Sequence, residues 1–266
     1  MSTRGKDDPA GTALVTGSAR RIGREIALAL ARDGWDVAIH HRRSRADADA
    51  TVRDVQALGR RAAALACDLG DEGAVRALLP ACERELGAVA CLVNNASVFE
   101  PDDAGSFGWP RLESHMRINV AAAVILAQQL HARLPDGRQG VVVNLLDQKL
   151  WNPNPDFLSY TLSKAALREA TGLLARALAP RVRVVGVAPG ITLPAAGQSR
   201  DGFDTAHRLT PLERSSTAED IGRAVAFLAR SPAITGTTLL VDGGQHLVPS
   251  ARDVMFLTEA GMTRRT

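Results

Sequence analysis

The sequence predicts a doubly wound parallel α/β sheet, and three observations carry that prediction. Apolar runs rich in β-branched residues alternate with amphipathic helical stretches along the chain. The residues most suggestive of chemistry fall at the carboxyl ends of those runs, where open α/β sheets bind ligands. No linker, repeat or low-complexity segment divides the 266 residues, a length that suits one large domain with a substantial core.

The elements follow in order. "TALVTG" (12–17) reads as a strand leading into the helix "RRIGREIALALARDG", which Gly34 ends. "WDVAIH" (35–40) is a second strand, followed by a polar helix through Leu58. "RAAALACDL" and "ACLVNNA" are strands three and four, with a helix from about Glu72 to Leu86 between them. "WPRLESHMRINVAAAVILAQQLHARL" is one long helix and "GVVVNLL" a buried fifth strand. A helix over 157–179, the strand "VRVVGVAPG", a loop-rich stretch 190–216, a helix over 218–230 and the strand "TTLLVDGG" complete about seven strands. The expected organisation is a flexible leader 1–11, a domain 12–248 with a substrate lid near 190–216, and a polar tail 249–266.

Composition narrows the function classes. Hydrophobic residues make up 45% and charged residues 23%, ordinary for a globular protein. Basic residues exceed acidic ones by three and are scattered, so the pI of about 9.0 gives little support to a nucleic-acid partner. Cys67, Cys82 and Cys91 lack paired or C-x-x-C spacing and read as reduced thiols, with no metal expected. The leader has no apolar core, and no apolar run approaches the roughly 20 residues that span a bilayer. The expectation is a soluble, cytoplasmic protein.

Three stretches carry chemistry. In "TGSARRIG" Gly17 permits a tight turn and Gly23 a close helix–strand approach, so the helix N-terminus can face a pyrophosphate. A plain strand–helix turn is the competing reading. "HHRRS" (40–44) holds no carboxylate, whereas a site for an unphosphorylated ribose usually places one there. Arg42, Arg43 and Ser44 suit a 2′-phosphate instead, against the alternative of a basic solvated loop. In the third stretch Tyr160, the chain's only tyrosine, lies four residues before Lys164. That spacing puts both on one helical face, where the ammonium is expected to lower the phenol's pKa. Asp147, at a strand end, is either a capping residue or an acceptor for a substrate bearing N–H groups. A carboxylate only accepts hydrogen bonds and opposes a developing alkoxide, so it suits simple ketone reduction poorly unless it stays protonated.

Together these motifs resemble the short-chain dehydrogenase/reductase family, from Thr12 to about Leu247, with its Rossmann-type fold. The match covers T-G-x-x-x-G-x-G, with Arg21 in place of the middle glycine beside Ile22 and Gly23, and Y-x-x-x-K. It extends to Asp68–Leu69 of "CDL", to Asn95–Ala96 of "NNAS" and to Pro189–Gly190 of "VAPG". The resemblance implies that these positions bind NADP(H), that Lys164 also holds the nicotinamide ribose, and that Asn119 anchors a proton-relay water. Arg21, Ser97, the Asp at position 147 and Phe99 resemble the pteridine reductase and dihydromonapterin reductase branch. There Arg21, Ser97 and Phe99 would hold a pterin, with Asp147 and Tyr160 beside it. Trp151 is expected near the entrance, Trp109 in packing, and His207 as a solvated lid residue. The resemblance also implies a homotetramer. The expected activity is NADPH-dependent reduction of a 7,8-dihydropterin, such as dihydromonapterin, dihydrobiopterin or dihydrofolate. Two alternatives stay open: a carbonyl, quinone or imine reductase of the same family, and a non-catalytic NADP(H) sensor.

Overall fold

A computed structural model of the chain describes residues 10–194 and 199–258. Its element order is β1 (Gly11–Val15), α1 (Arg21–Arg32), β2 (Trp35–His41), α2 (Arg45–Ala57), β3 (Ala62–Ala66), α3 (Glu72–Leu86) and β4 (Val89–Asn94). Next come α4 (Trp109–His115), a π-helical segment (Met116–Ala121), α5 (Ala122–Arg133), β5 (Gly140–Leu145) and a 3-10 turn (Gln148–Leu150). α6 (Leu158–Ala177), β6 (Val182–Pro189), α7 (Arg200–Arg208), α8 (Ala218–Arg230), β7 (Thr238–Val241), a second 3-10 turn (Gln245–Leu247) and α9 (Val254–Thr258) follow.

The seven strands form one sheet in the order β3-β2-β1-β4-β5-β6-β7, and every pairing is parallel. Strand order reverses between β1 and β4, so the crevice at a doubly wound sheet's switch point opens after Val15 and Asn94. Alternation along the strands builds two cores. Ala13, Val15, Val93 and Val143 face Ile26, Leu30, Ile221 and Val225 of α1 and α8. Leu14, Leu92 and Val142 face Leu78, Leu79, Leu126 and Leu130 of α3 and α5. The buried glycine in α8 lets that helix close on α1: a Cβ at Gly222 would lie 2.9 Å from the Glu25 carbonyl oxygen. Burial pushes the three thiols up, Cys67 to about 11 and Cys82 and Cys91 to about 12, as expected of packed, unreactive cysteines.

Four details depart from the sequence reading. The long helix over 109–134 is interrupted by the π segment, which carries Asn119. The loop-rich stretch 190–216 contains α7, whose first turn is capped by Ser199 accepting from Gly202 N; residues 195–198 of the expected lid lie outside the described residues. Trp109 is 75% exposed rather than packed, because it begins α4 on the outer surface. The polar tail, as far as Thr258, packs on the domain: Arg252 pairs with Asp156, and α9 lies against the site. The expected leader falls outside the described residues up to position 9. No helix among the described residues is long and apolar enough to cross a membrane.

Candidate active site

The turn after β1 is shaped by φ angles and close approaches. Gly17 has φ +64°, and a Cβ at Gly23 would collide with the Gly17 carbonyl oxygen and lie 2.6 Å from Asn95 Nδ2. Arg21 stands between them with φ +57°, a left-handed conformation that costs a non-glycine residue about 1–2 kcal/mol. That cost explains why a glycine is the common choice at this position. Thr16 Oγ1 accepts from Asn95 N at 2.9 Å and Ala96 N at 3.0 Å, while Asn95 Nδ2 donates to Thr16 O at 2.8 Å. These bonds tie the β1 turn to the β4 turn across the switch point.

His40, which begins the "HHRRS" stretch, is a second tether. Its Nδ1 accepts from Gly17 N at 2.8 Å, and its Nε2, 3.1 Å from Cys67 O, donates to that carbonyl. Burial lowers its pKa to about 4, so the ring is neutral in this tautomer. The sequence places His40 at a strand end, but which way its ring points depends on the neighbouring strand.

Beyond the turn lies a cavity of about 290 Å³ at the carboxyl edge of the sheet. Among the expected site residues, Arg21, Ile22, Asn95, Ser97, Phe99 and Asp147 line it, together with Tyr160, Lys164, Pro189 and Gly190. Gly17, Gly23 and Ala96 belong to the turn beside it through the contacts above. Arg42, Arg43 and Ser44 sit apart at the tip of β2, and Arg42 Nε is 3.9 Å from Asp68 Oδ2. Leu69 is buried beside Asp68. Asn119 does not line the cavity. Its Oδ1 accepts from Val98 N at 2.8 Å, and Nδ2 donates to Val98 O at 3.1 Å and Ser163 Oγ at 2.9 Å. Both amide hydrogens are thereby committed, so the side chain works as a brace between the β4 turn and α6. Trp151 is absent from the cavity wall and lies 5.7 Å from the Arg168 guanidinium carbon instead. His207 is half-buried, with Nε2 3.2 Å from Ser216 O, rather than solvated.

Asp147 is the capping residue of one sequence reading, and its second oxygen faces the Tyr160 hydroxyl. Its Oδ1 accepts from Lys149 N at 2.8 Å, capping the 3-10 turn, while Oδ2 accepts the Tyr160 hydroxyl at 2.7 Å. Burial raises the carboxyl's pKa despite these bonds and the charge of Lys164. Lys164 donates to Leu145 O at 2.6 Å, and burial lowers its pKa to about 8. The expected lowering of the phenol by this lysine does not occur. Burial first, then the adjacent Asp147, push Tyr160 well above its ordinary value. The ammonium lies 5.7 Å from the Tyr160 ring centre and is bonded to a carbonyl, whereas the carboxylate touches the hydroxyl itself. In this state the phenol is protonated and directs its hydrogen at Asp147.

Phe99 is 44% exposed, on the cavity wall rather than in the core. It stacks on Phe157 with centroids 4.2 Å apart and meets Tyr160 edge-on at 4.7 Å. Phe157 has no sequence signal of its own, since its place in the stack depends on the left-handed turn that precedes α6. The neighbouring loop is fixed by Gln245 Oε1 accepting from Ile191 N at 3.1 Å.

A glycine-shaped phosphate turn at the switch point, joined to a buried tyrosine–lysine pair, defines a nicotinamide-dinucleotide oxidoreductase. The chain belongs to the short-chain dehydrogenase/reductase family, and the enoyl-(acyl carrier protein) reductase model of that group matches residues 17–246. A solved structure of FolM alternative dihydrofolate reductase 1 from Brucella canis, complexed with NADP, is 40% identical, with a TM-score of 0.85 over 90% of this chain and 95% of that one. A short-chain dehydrogenase from Burkholderia cenocepacia in complex with NADP is 34% identical, with a TM-score of 0.81 over 89% and 98% of the two chains. The 3-oxoacyl-(acyl-carrier-protein) reductase FabG of Staphylococcus epidermidis is 31% identical over 241 residues, covering 89% of this chain and 99% of its own.

The residues present fit NADP(H). Among the described residues, no side chain caps the N-terminus of α1 and no acid lies in its first turn, which leaves that end open to a pyrophosphate. Arg42 and Arg43 are exposed at the tip of β2, with no carboxylate between positions 40 and 44 to repel a 2′-phosphate. The chain is an NADP(H)-dependent oxidoreductase of this family.

Proposed function

We propose that the protein reduces a 7,8-dihydropterin, such as dihydromonapterin, dihydrobiopterin or dihydrofolate, to its tetrahydro form. The observation that carries this reading is the buried Asp147 carboxyl bonded to the Tyr160 hydroxyl at 2.7 Å inside the cavity. A carboxyl with a raised pKa can hold a proton and release it to nitrogen, and once ionised it accepts the N–H groups of a substrate. The aromatic wall formed by Phe99 supports a flat ring. The similarity to an enzyme described as an alternative dihydrofolate reductase points the same way.

NADPH, when bound, supplies the hydride that C6 of the substrate's C=N bond receives. Arg42, Arg43 and Ser44 would hold its 2′-phosphate, the α1 N-terminus its pyrophosphate, and Lys164 its ribose. Asp147 orients the ring through its N–H groups and gives a proton, through water, to N5. Tyr160 donates a proton where N8 must be protonated, as in reduction of a fully oxidised pterin, after its hydroxyl turns away from Asp147. Arg21 and Ser97 hold the ring edge. Rate enhancement comes from placement and electrostatics rather than from a covalent step. The assembly that accompanies this reading is a homotetramer, to be read by light scattering of the purified protein.

The reductase of simple ketones is the second reading, favoured by the likeness to FabG. NADPH oxidation measured with the three dihydropterins and a panel of ketones separates the two. Turnover of a dihydropterin supports the proposal, and turnover confined to ketones rejects it.

A further inference from the structure

The segment after β7 forms part of the cavity, although the reaction above makes no use of it. Asp253, Val254 and Met255 line the same space as Asp147 and Tyr160. Asp156 clasps the segment there: its two carboxylate oxygens each lie 2.9 Å from Arg252 Nε, and Oδ2 accepts from Asp253 N at 2.7 Å. Phe256 extends the aromatic wall by stacking on Phe157 at 5.9 Å.

Lys149 connects this segment to the reacting groups. It is 3% exposed, and its backbone N donates to Asp147 Oδ1 at 2.8 Å. Its ammonium donates to Asp156 O at 2.6 Å and lies 3.4 Å from Asp253 Oδ2. One buried lysine therefore fixes two carboxylates in a single cavity. The Asp253 carboxylate is not saturated by this arrangement. Oδ2 has the long contact to Lys149, and Oδ1 accepts from Met255 N at 3.2 Å. Each carboxylate oxygen has a further lone pair, and both oxygens can only accept while the group is ionised. A substrate with acceptor groups alone would leave this wall unmatched. A flat heterocycle with an N–H donor on a second edge would match it.

We propose that Asp253 is a specificity-determining residue that receives an N–H group of an amino-bearing heterocyclic substrate, with Lys149 positioning it relative to Asp147. The inference deepens the pterin reading and rests on it for the reaction. The carboxyl-terminal segment is then the wall that separates amino-bearing rings from their oxo counterparts.

Steady-state kinetics of the full chain test this, comparing wild type, Asp253→Asn and Lys149→Gln. The substrates are a 2-amino-4-oxo dihydropterin and the analogue in which oxygen replaces the 2-amino group. Asp253→Asn should raise KM for the amino-bearing ring by roughly tenfold or more, with kcat changed by less than about threefold, because a charge-assisted acceptor is lost. The oxo analogue's KM and the NADPH Kd should stay unchanged. Lys149→Gln should reproduce part of the KM rise, since the residue-149 backbone bond to Asp147 survives. An unchanged KM overturns the inference, and so does an equal loss on both rings or a weaker NADPH Kd, which would make Asp253 a structural strut. If wild type reduces ketones and no dihydropterin, the pterin reading fails by itself. The inference is then decided with an amino-bearing cyclic ketone and its methyl counterpart: loss of discrimination in Asp253→Asn supports it, and retained discrimination overturns it.

Discussion

At the phosphate turn every bond has a main-chain atom as one partner: Gly17 N on His40, Asn95 N and Ala96 N on Thr16, and Asn95 Nδ2 on Thr16 O. At the substrate end they are side chains from distant parts of the chain: Asp147 on Tyr160, Phe99 on Phe157, and Lys149 on Asp253. A backbone cradle demands particular residue types at fixed short spacing. A wall of side chains demands only that remote elements meet. The first arrangement is rigid and suits a cofactor common to a family; the second can change its selectivity by single substitutions.

The contrast is broken most severely at Tyr160. Tyr160→Phe should lower kcat for a fully oxidised pterin, whose N8 must be protonated, by about 10²–10⁴-fold, the usual span for a lost proton donor, while NADPH binding by fluorescence titration stays near wild type. An equal loss of cofactor affinity would mean that the two ends are not separable.

Acid stability probes the cradle. The neutral His40 ring is required for Nδ1 to accept from Gly17 N, and its folded pKa of about 4 lies below the ordinary 6.5. Between those values the unfolded chain binds the extra proton. Stability is therefore complete above the unfolded value and falls as pH drops toward 4, by about 3 kcal/mol. Urea unfolding across that window should show the acid loss in wild type and a flatter profile in His40→Asn, whatever substrate the enzyme takes.

Arg42→Ala with Arg43→Ala should cost NADPH at least about tenfold in Kd, the loss of charge-assisted bonds to a phosphate. NADH affinity should change much less. A parallel loss for both cofactors would assign the two arginines to general electrostatics. The smallest effect is expected at Phe99. Phe99→Ala should raise KM for a flat-ring substrate by about threefold to tenfold, from the loss of one stacked pair worth roughly 0.5–1.5 kcal/mol, with kcat nearly unchanged.

These two regions also mark how far sequence reading reaches. Gly17, Gly23 and the acid-free tip of β2 are legible because a tight turn, a close approach and a 2′-phosphate each restrict the residue type locally. Tyr160 and Lys164 are legible because helical spacing alone places them on one face. Their electrostatics are not legible. Whether Lys164 or Asp147 governs the phenol depends on which atom touches the hydroxyl, and burial decides the direction of every shift. Asn119 sits in a π segment whose register no propensity reveals, so its amide is spent on Val98 and Ser163. Lys149 and Asp253 look like ordinary surface charges until the carboxyl-terminal segment is folded back over the cavity.

Asp147→Ser tests the central claim most directly, by comparing kcat/KM for a dihydropterin with that for a simple ketone in both proteins. The carboxyl's assigned role predicts dihydropterin turnover in wild type that falls by roughly a hundredfold or more in the variant, with ketone turnover equal or improved. Dihydropterin turnover that survives the substitution, or a wild type that reduces ketones alone, would contradict it.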